Sequence, residues 1–295
     1  MKIKSILITG GSGYTGSNLA KYALSLGFDV TILHRSPLKE TYLKNVKKQI
    51  TFFSYDNTFK SLDQVFKKKK IDIVFHIAAL SQYNTAPEKI NDLIDANINF
   101  GTMLLEAMTN NNCCYLINTG SYWQNSLSKN YTPNSLYAAT KESFQNIIDF
   151  YVSNRKLAAI TLKPYDIYGP KDKRAKIFGL IKQCYQDKKS LDMTKGEQKV
   201  NLIHIDDLVR AYIDALKFLK LGIHKKYFIG SNHLYTLKEI VETFMKITQQ
   251  KVKINWGGKK YIKNQIMTPY VGTSLPNFKI KFDLKKGLTT LKKEK

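Results

Sequence analysis

The 295-residue sequence lacks the features that mark several large classes of protein. No apolar run reaches the roughly 20 residues that a membrane-spanning helix needs, and residues 1–4 lead into a glycine-rich turn without the apolar core of a signal peptide. Only three cysteines are present, Cys113, Cys114 and Cys184; their spacing is not that of metal ligands, and an odd number suits a reducing compartment. We therefore expect a cytoplasmic globular protein without membrane association or bound metal.

Arginine is scarce, although the chain is strongly basic. Lysine and arginine total 47 against 23 acidic residues, which gives a formal charge of +24, yet only four of the 47 are arginines. Sequence readout of nucleic acids and two-pronged binding of phosphate favour arginine over lysine. We therefore do not expect nucleic acid as the partner, and an anionic small substrate accounts for part of the charge.

Glycine is concentrated in residues 9–16, between an apolar strand at 5–8 and an amphipathic helix at 17–24. Gly10 and Gly13 permit backbone angles and a close approach to a ligand that other residues do not, and the last glycine lets the helix pack on the strand. The free N–H groups at the start of the helix attract a pyrophosphate. The turn therefore predicts a dinucleotide site. The cofactor-binding residues expected in it are Gly10, Ser12, Gly13, Tyr14, Thr15 and Gly16.

An acidic residue is missing where the second predicted strand, residues 28–33, ends. In a dinucleotide-binding unit such a residue holds the adenosine ribose hydroxyls. The strand is followed here by His34, Arg35 and Ser36. Since an arginine attracts the 2′-phosphate of NADP and a serine can add a hydrogen bond, we expect NADP as cofactor, with NAD as the alternative.

Strand and helix patterns alternate along the rest of the chain and predict an α/β fold with a Rossmann-type doubly wound parallel sheet. Asp56 and Asn57 follow the third strand and are placed to face an adenine edge. Ala78 and Ala79 follow the fourth, where small residues let the backbone run close to a cofactor. Further strands are predicted at 49–53, 71–76, 114–117 and 158–162, and helices at 87–108, 177–184 and 236–247.

Tyr137 and Lys141 lie one helical turn apart on the helix after the fifth strand, so their side chains share a face. A lysine ammonium beside a phenol would lower the tyrosine pKa from about 10 toward neutrality and make the hydroxyl a usable proton donor. Thr119 and Ser121 follow the fifth strand at the sheet edge where open α/β folds bind ligands. On its own, a Tyr-x-x-x-Lys pair is common and usually structural.

Six motifs occur in the order seen in one enzyme family. They are the glycine-rich turn, Ile77-Ala78-Ala79, a hydroxyl residue after the fifth strand, Tyr137-x-x-x-Lys141, Tyr168-Gly169-Pro170 and His204-Ile205-Asp206-Asp207-Leu208. With them the chain resembles, over nearly its whole length, the extended short-chain dehydrogenase/reductases, in particular the nucleotide-sugar epimerase/dehydratase group. Dimers are usual in that group, so the resemblance suggests a homodimer.

The resemblance implies a hydride-transfer site. Thr119 or Ser121 would hydrogen-bond a substrate oxygen, and family spacing favours Thr119. Tyr137 would transfer the proton, while Lys141 would tune Tyr137 and hold the nicotinamide ribose. The resemblance also places Pro164 and Tyr165 near the nicotinamide. The family's cofactor-facing asparagine corresponds to Asn97, shifted by one residue.

The resemblance further implies two lobes, a cofactor domain at 1–170 with 200–235 returning to it, and a smaller C-terminal substrate-binding lobe at 171–199 and 236–295. The family's arginine for the nucleotide diphosphate is Val200 here, so Lys199 could substitute as a point charge. The substrate-binding residues expected are Ser121, Tyr122, Asp166 and Lys199.

The Asp-Glu pair that the group's 4,6-dehydratases carry after the catalytic threonine is absent, and Gly120 and Ser121 stand in its place. Elimination of water needs an additional acid and base, so dehydration is not expected. An NADPH-dependent 4-ketoreductase and an NAD-dependent 4-epimerase remain, and Arg35 favours the reductase. The chain looks most like the CDP-abequose synthase-like 4-ketoreductases, which act on CDP- or dTDP-activated 4-keto-deoxysugars. A family member that binds NAD(P) or RNA without catalysis is the further alternative.

Overall fold

The computed structural model describes residues 3–35, 42–174 and 176–292, and the expected site residue Ser36 lies outside these ranges. The strands are β1 (Ser5–Thr9), β2 (Asp29–Arg35), β3 (Ile50–Tyr55), β4 (Ile73–His76), β5 (Tyr115–Thr119), β6 (Ala158–Pro164), β7 (Asp166–Tyr168), β8 (Leu191–Met193), β9 (Lys199–Val200), β10 (Leu202–His204), β11 (His224–Ile229), β12 (Tyr235–Thr236) and β13 (Ile254–Trp256). The helices are α1 (Tyr14–Ser25), α2 (Phe59–Lys68), α3 (Ile90–Ile94), α4 (Phe100–Asn110), α5 (Leu136–Arg155), α6 (Ile177–Gln186), α7 (Ile205–Asp214), α8 (Leu237–Thr248) and α9 (Leu284–Lys292).

A parallel sheet of seven strands, in the order β11-β6-β5-β4-β1-β2-β3, forms the centre of the described chain. From β1 the chain builds outward to β2 and β3 on one side and then returns to build β4, β5 and β6 on the other. The crevice between β1 and β4 is where such sheets bind ligands. The predicted α/β fold with a Rossmann-type doubly wound sheet is therefore confirmed.

Helices cover both faces of this sheet because its strands are apolar on both sides. On one face the core includes Leu19 of α1 and Tyr212 of α7. On the other face it includes Leu62 of α2, Leu104 of α4 and Phe144 of α5. Tyr137 and Lys141 therefore lie on the α5 face, close to the carboxyl ends of the central strands.

The predicted helix at 87–108 is interrupted. A 3₁₀ turn at Pro87–Lys89 leads into α3, a π-helical segment follows at Asp95–Asn99, and α4 then completes the run. Within the π segment, Asn97 accepts a hydrogen bond from Leu80 N at 2.8 Å and donates one to Leu80 O at 3.0 Å. A π-helical turn holds one more residue than an α-helical turn, and here it orients the Asn97 side chain toward the loop after β4.

A third apolar core lies beside the sheet, where β7 and β10 meet α6, α8 and α9. Its members include Tyr168, Phe178, Phe244 and Leu288. The segments predicted to form the smaller lobe supply most of this core, and β7 and β10, predicted to belong to the cofactor domain, contribute to it as well. The proposed division of the chain into two domains stays a prediction.

Side chains cap the starts of two late helices. The first turn of α7 is capped by His204, whose Nδ1 accepts a hydrogen bond from Asp206 N at 3.2 Å. At α8, Thr236 and Glu239 form a capping box, since each accepts a hydrogen bond from the other's backbone N–H. Across the described ranges, no helix combines the length and apolar character needed to cross a membrane.

Candidate active site

In the glycine-rich turn between β1 and α1, a side chain at Gly11 would meet the Ile32 side chain, and one at Gly10 or Gly16 would meet backbone. Gly10 has φ +69°, and a Cβ there would lie 2.7 Å from Ala78 N. A Cβ on Gly16 would collide with the Gly10 carbonyl. Gly13 has φ −77°, an angle open to any residue, so the expected special backbone angle at Gly13 is wrong. Gly13 instead forms the N-cap, and α1 begins at Tyr14 rather than at residue 17.

The loop after β4 passes directly over this turn. Thr9 Oγ1 accepts hydrogen bonds from Ile77 N and Ala78 N at 3.2 and 3.3 Å, and its hydroxyl contacts His76 Nδ1 at 2.8 Å. The backbone at Ala78 thus runs against Gly10, and Ala79 is exposed beside it. The expected approach of this loop to the cofactor stays a prediction.

The far edge of the crevice is formed by the ends of β2 and β3. Arg35 closes β2 as an exposed residue opposite Tyr55, and His34 Nδ1 contacts the Arg35 carbonyl at 3.1 Å. Asp56 accepts hydrogen bonds from the Thr58 hydroxyl at 2.6 Å and from Thr58 N at 3.0 Å, and these lower the pKa of Asp56 to about 2. Asn57 takes a left-handed conformation with φ +69°. Arg35, Asp56 and Asn57 therefore share one exposed edge.

Tyr137 and Lys141 are both buried on α5, with 8% and 1% of their surfaces exposed. Burial raises the pKa of Tyr137 to about 12, against the smaller effect of hydrogen bonds from Ser81 and Ser121, and burial lowers the pKa of Lys141 to about 8. The predicted lowering of the tyrosine pKa is therefore wrong for the protein without cofactor, because loss of water disfavours the phenolate. Lys141 Nζ has no hydrogen-bond partner among the described residues.

The two candidate hydroxyls bond to different tyrosines. Ser121 lies in hydrogen-bond contact with Tyr137, and its Oγ also accepts from Trp123 N at 3.2 Å. Thr119 Oγ1 lies 2.7 Å from the hydroxyl of Tyr212, which is fully buried in α7. Sequence reasoning took Tyr212 only as an apolar position of α7. The signal that could have singled it out is its phenol, since a buried phenol needs a partner.

The other expected nicotinamide contacts lie around the end of β6. Pro164 is buried as its last residue. Tyr165 donates a hydrogen bond to Tyr270 O at 2.6 Å, while its ring lies 5.0 Å from that of Tyr122. Asn97 is fully occupied, because it also donates to Thr140 Oγ1 at 3.0 Å in addition to its two bonds with Leu80. Its expected contact with the cofactor stays a prediction.

A cavity of about 200 Å³ is lined by three of the four residues expected to bind the substrate. Tyr122, Asp166 and Lys199 line it, together with Trp123, whose ring stands perpendicular to that of Tyr137 at 5.9 Å. Tyr122 donates a hydrogen bond to Asp166 Oδ2 at 2.9 Å, and burial followed by the Asp166 charge raises the pKa of Tyr122. Three of the four expected substrate residues thus line one cavity, whereas Ser121 contacts Tyr137 without lining it, and the role of all four in substrate binding stays a prediction.

A second cavity, of about 270 Å³, shares Asp166 and Val200 with the first and extends toward α6. Apolar residues and the rings of Tyr168 and Phe178 line it together with basic and acidic side chains, among which Arg174 pairs with Asp172 at 2.6 Å. Sequence reasoning missed the basic residues Arg174, Lys176 and Lys182, although they fall in the charged stretch that it placed beside the substrate.

The crevice fits a dinucleotide. Its glycine turn presents backbone rather than side chains, and the buried ammonium of Lys141 lacks a partner that a ribose hydroxyl would supply. Comparison with known proteins agrees, since the profile of the NAD dependent epimerase/dehydratase family matches residues 6–235. The chain belongs to this family.

Relatives of this family member include two proteins named CDP-abequose synthase. The one from Yersinia pseudotuberculosis is 30% identical over 90% of this chain and 91% of its own length. The one from Salmonella muenchen is 27% identical over 97% and 96%. The resemblance drawn from the sequence motifs, including that to CDP-abequose synthase, is therefore confirmed.

Solved structures of other members share the fold. The UDP-glucuronic acid 4-epimerase from Bacillus cereus, in complex with UDP-glucuronic acid and NAD, superposes with a TM-score of 0.86 at 22% identity and covers 97% of both chains. The UDP-glucose 4-epimerase from Thermotoga maritima gives 0.86 at 19% identity, over 97% of this chain and 96% of its own. At such identities the likeness concerns the fold.

Proposed function

We propose that this family member uses NADPH to reduce the C4 keto group of a 4-keto-deoxysugar carried by a nucleotide, CDP or dTDP. The observation that carries the choice of reaction is Arg35 at the end of β2, the sequence position where NAD-binding units carry an acidic residue for the adenosine ribose. A cation there suits the 2′-phosphate of NADPH, which a reductase consumes and exchanges in every turnover. The CDP-abequose synthases among its relatives support the sugar class.

Bound NADPH would supply the hydride to C4, and the protein's own residues would handle the oxygen and its proton. Tyr137 would give its phenolic proton to the forming alkoxide, with Ser121 holding the phenol in place. Thr119 would donate a hydrogen bond to the same oxygen. The Tyr212 phenol would donate to Thr119 Oγ1, which leaves the threonine proton for the substrate.

Lys141 would bind the nicotinamide ribose and place a positive charge beside Tyr137. Burial raises the pKa of Tyr137 to about 12 in the protein without cofactor, so this charge is what would stabilise the phenolate after proton transfer. The nucleotide would lie along the two joined cavities, with Asp166 and Tyr122 at the sugar end and the basic side chains near α6 toward the diphosphate.

A panel of CDP-, dTDP-, GDP- and UDP-4-keto-deoxysugars tests this function through NADPH oxidation. We expect turnover with a CDP or dTDP sugar and a loss of about 10²-fold or more in kcat for Tyr137→Phe. The matched control is Tyr185→Phe, an exposed tyrosine on α6, which should keep full activity. Equal activity of wild type and Tyr137→Phe would remove Tyr137 from the mechanism.

The same protein would be a 4-epimerase if it arrived with NAD bound and interconverted two nucleotide sugars without added reductant. It would be a non-catalytic binder if it turned over no nucleotide sugar and bound RNA with an affinity that falls steeply with salt. We also propose a homodimer, on the family resemblance; the mass of the purified protein in solution tests it.

A further inference from the structure

Three buried polar atoms near the Tyr137–Lys141 pair lack hydrogen-bond partners within the described ranges: His76 Nε2, Asn118 Oδ1 and Lys141 Nζ. His76 and Asn118 are register partners on the adjacent strands β4 and β5. Burial lowers the pKa of His76 to about 3, and the positive charge of Lys141 contributes to this lowering, so the two groups lie close together. The His76 ring also lies 5.2 Å from Phe144, almost one turn after Lys141 on α5. The three atoms therefore belong to one buried site under α5.

Two of these three atoms, His76 Nε2 and Lys141 Nζ, can only donate hydrogen bonds. Thr9 Oγ1 already accepts two backbone hydrogen bonds, so its own proton goes to His76 Nδ1 and the proton of the neutral ring stands on Nε2. Lys141 Nζ offers N–H groups only. His76 Nε2–H and Lys141 Nζ are thus both donors, and Asn118 Oδ1 is the acceptor among the three.

A series of hydrogen bonds that begins at Asp149 on the protein surface fixes the orientation of the Asn118 amide. Asp149, with 41% of its side chain exposed, binds His224 Nδ1 at 2.6 Å and Lys226 Nζ at 2.9 Å. Burial raises the pKa of Asp149, but these two partners outweigh it and bring the pKa to about 2, so the carboxylate only accepts. His224 must therefore carry its proton on Nδ1, and its Nε2 accepts from Thr161.

The donor and acceptor roles of the next groups inward are fixed in the same way. His224 Nε2 lies 2.8 Å from Thr161 Oγ1, which accepts from Asn118 Nδ2 at 3.1 Å. Thr161 and Asn118 are fully buried. Because the amide nitrogen is used on this side, the amide oxygen faces away from Thr161, and it is the buried acceptor that lacks a partner within the described ranges.

We propose that one buried water molecule bridges Lys141, His76 and Asn118, and that the Asp149–His224–Thr161 chain acts as a positioning device that presents an acceptor oxygen to it and so keeps Lys141 protonated. A water accepts from two donors and donates to one acceptor here, so each of the three groups gains a partner, and Lys141 keeps further N–H groups for the ribose. Asn118 and His224 are then positioning residues that act on Lys141, not groups that touch the substrate. The inference rests on the proposed function only in that Lys141 binds the cofactor.

The site contains few other charges that could produce the same effect. Of the titratable groups on the elements packed against α5, His76 faces Lys141. Further groups on these elements have partners elsewhere: Lys163 with Glu142, His224 and Lys226 with Asp149, Glu106 with Tyr151, Asp92 with Lys89, Asp95 with Asn99 and Tyr122 with Asp166. Burial is what lowers the pKa of Lys141 to about 8. An acceptor nearby therefore acts directly on the proton affinity of this lysine.

The test is the pH dependence of NADPH binding, followed by protein fluorescence in wild type and four variants. Affinity should fall as the pH rises through the pKa of Lys141. We call the pH at which the fall in affinity is half complete the midpoint. It should move down by roughly half a pH unit or more in Asn118→Leu and up in Asn118→Asp. His224→Leu should move it in the same direction as Asn118→Leu. Lys226→Gln is the matched control, since it removes the other partner of Asp149 and leaves the chain intact; its midpoint should not move.

Opposite shifts at one position distinguish this role from a structural one, because loss of packing would weaken binding at every pH. Coincident midpoints in wild type, Asn118→Leu and Asn118→Asp would overturn the proposal. If Asn118→Leu does not fold, the direction of the Asn118→Asp shift decides. Wild type that binds NADPH with the expected titration but reduces no 4-keto sugar would overturn the proposed function and leave this inference standing; an active reductase with coincident midpoints would do the reverse.

Discussion

At the scale of single residues, the hydroxyls of Thr119 and Ser121 have different neighbours. Ser121 is in contact with Tyr137, whereas Thr119 is held by Tyr212. The family resemblance favours Thr119 as the donor to the substrate. Only the fold shows that each hydroxyl has its own phenol as a neighbour.

Replacing Thr119 by valine keeps the shape of the side chain and removes its hydroxyl. We expect Thr119→Val to lower kcat by about 10²-fold, the usual cost of one donor to a developing oxyanion, with a small change in KM. Thr119→Ser is the control and should keep most of the activity. Steady-state kinetics check this, and a larger loss in Ser121→Ala than in Thr119→Val would transfer the role to Ser121.

Arg35 offers an independent test of cofactor choice. Removing its charge should raise the KM for NADPH by roughly 10- to 100-fold and leave the KM for NADH nearly unchanged, because only NADPH carries the 2′-phosphate. The measurement is the ratio of kcat/KM for the two cofactors in wild type and Arg35→Ala. Arg155→Ala, at the distant end of α5, is the control. An unchanged ratio would show that Arg35 does not select the cofactor.

The same scale contains the clearest failure of sequence reasoning. The Tyr137–Lys141 spacing was enough to place both side chains on one face, but not to predict their proton affinities. Burial raises the pKa of Tyr137 to about 12 and lowers that of Lys141 to about 8. Burial is a property of the packed sheet, loops and helices, so a spacing rule does not contain it.

At the scale of elements, Gly10 and Gly16 have different surroundings from Gly13 in the turn between β1 and α1. Gly10 and Gly16 sit against backbone, so a side chain at either position would meet main-chain atoms. Gly13 has an ordinary backbone angle, and a Cβ added there would lie 3.3 Å from its nearest neighbour, the Gly10 carbonyl oxygen. The turn should therefore tolerate a methyl group at residue 13 better than at residue 10 or 16.

We expect Gly16→Ala to destabilise the fold by about 1–3 kcal/mol, the cost of forcing a methyl group into packed backbone. Gly13→Ala should cost clearly less stability. Urea denaturation of both variants checks the difference. Equal stability of the two would mean that the turn relaxes around the added methyl group at residue 16.

Most elements of the sheet could be predicted because each shows a local signal, an apolar run followed by a turn or a capped helix. The ends were less certain: β2 continues to Arg35 and β5 to Thr119, beyond the predicted 33 and 117. The break at Asp95–Asn99 was missed, because its cause is the bond between Asn97 and Leu80, 17 residues apart in the chain.

At the scale of the whole molecule, the fold brings the ends of β1, β4, β5 and β6 to one edge and sets the third apolar core beside them. The joined cavities form between these two parts, so the basic side chains of Arg174 and Lys176 that line one of them could not be read from spacing. An overall charge of +24 would in addition attract a substrate that carries a diphosphate.

The central claim, reduction by NADPH, is tested most directly by following a deuterium label from C4 of the nicotinamide in NADPH to the sugar. Mass spectrometry of the product should show one deuterium gained for each NADPH consumed, attached to C4 of a CDP- or dTDP-linked deoxysugar. An interconversion of two sugars that consumes no NADPH and places no label in either would contradict the account and identify an epimerase.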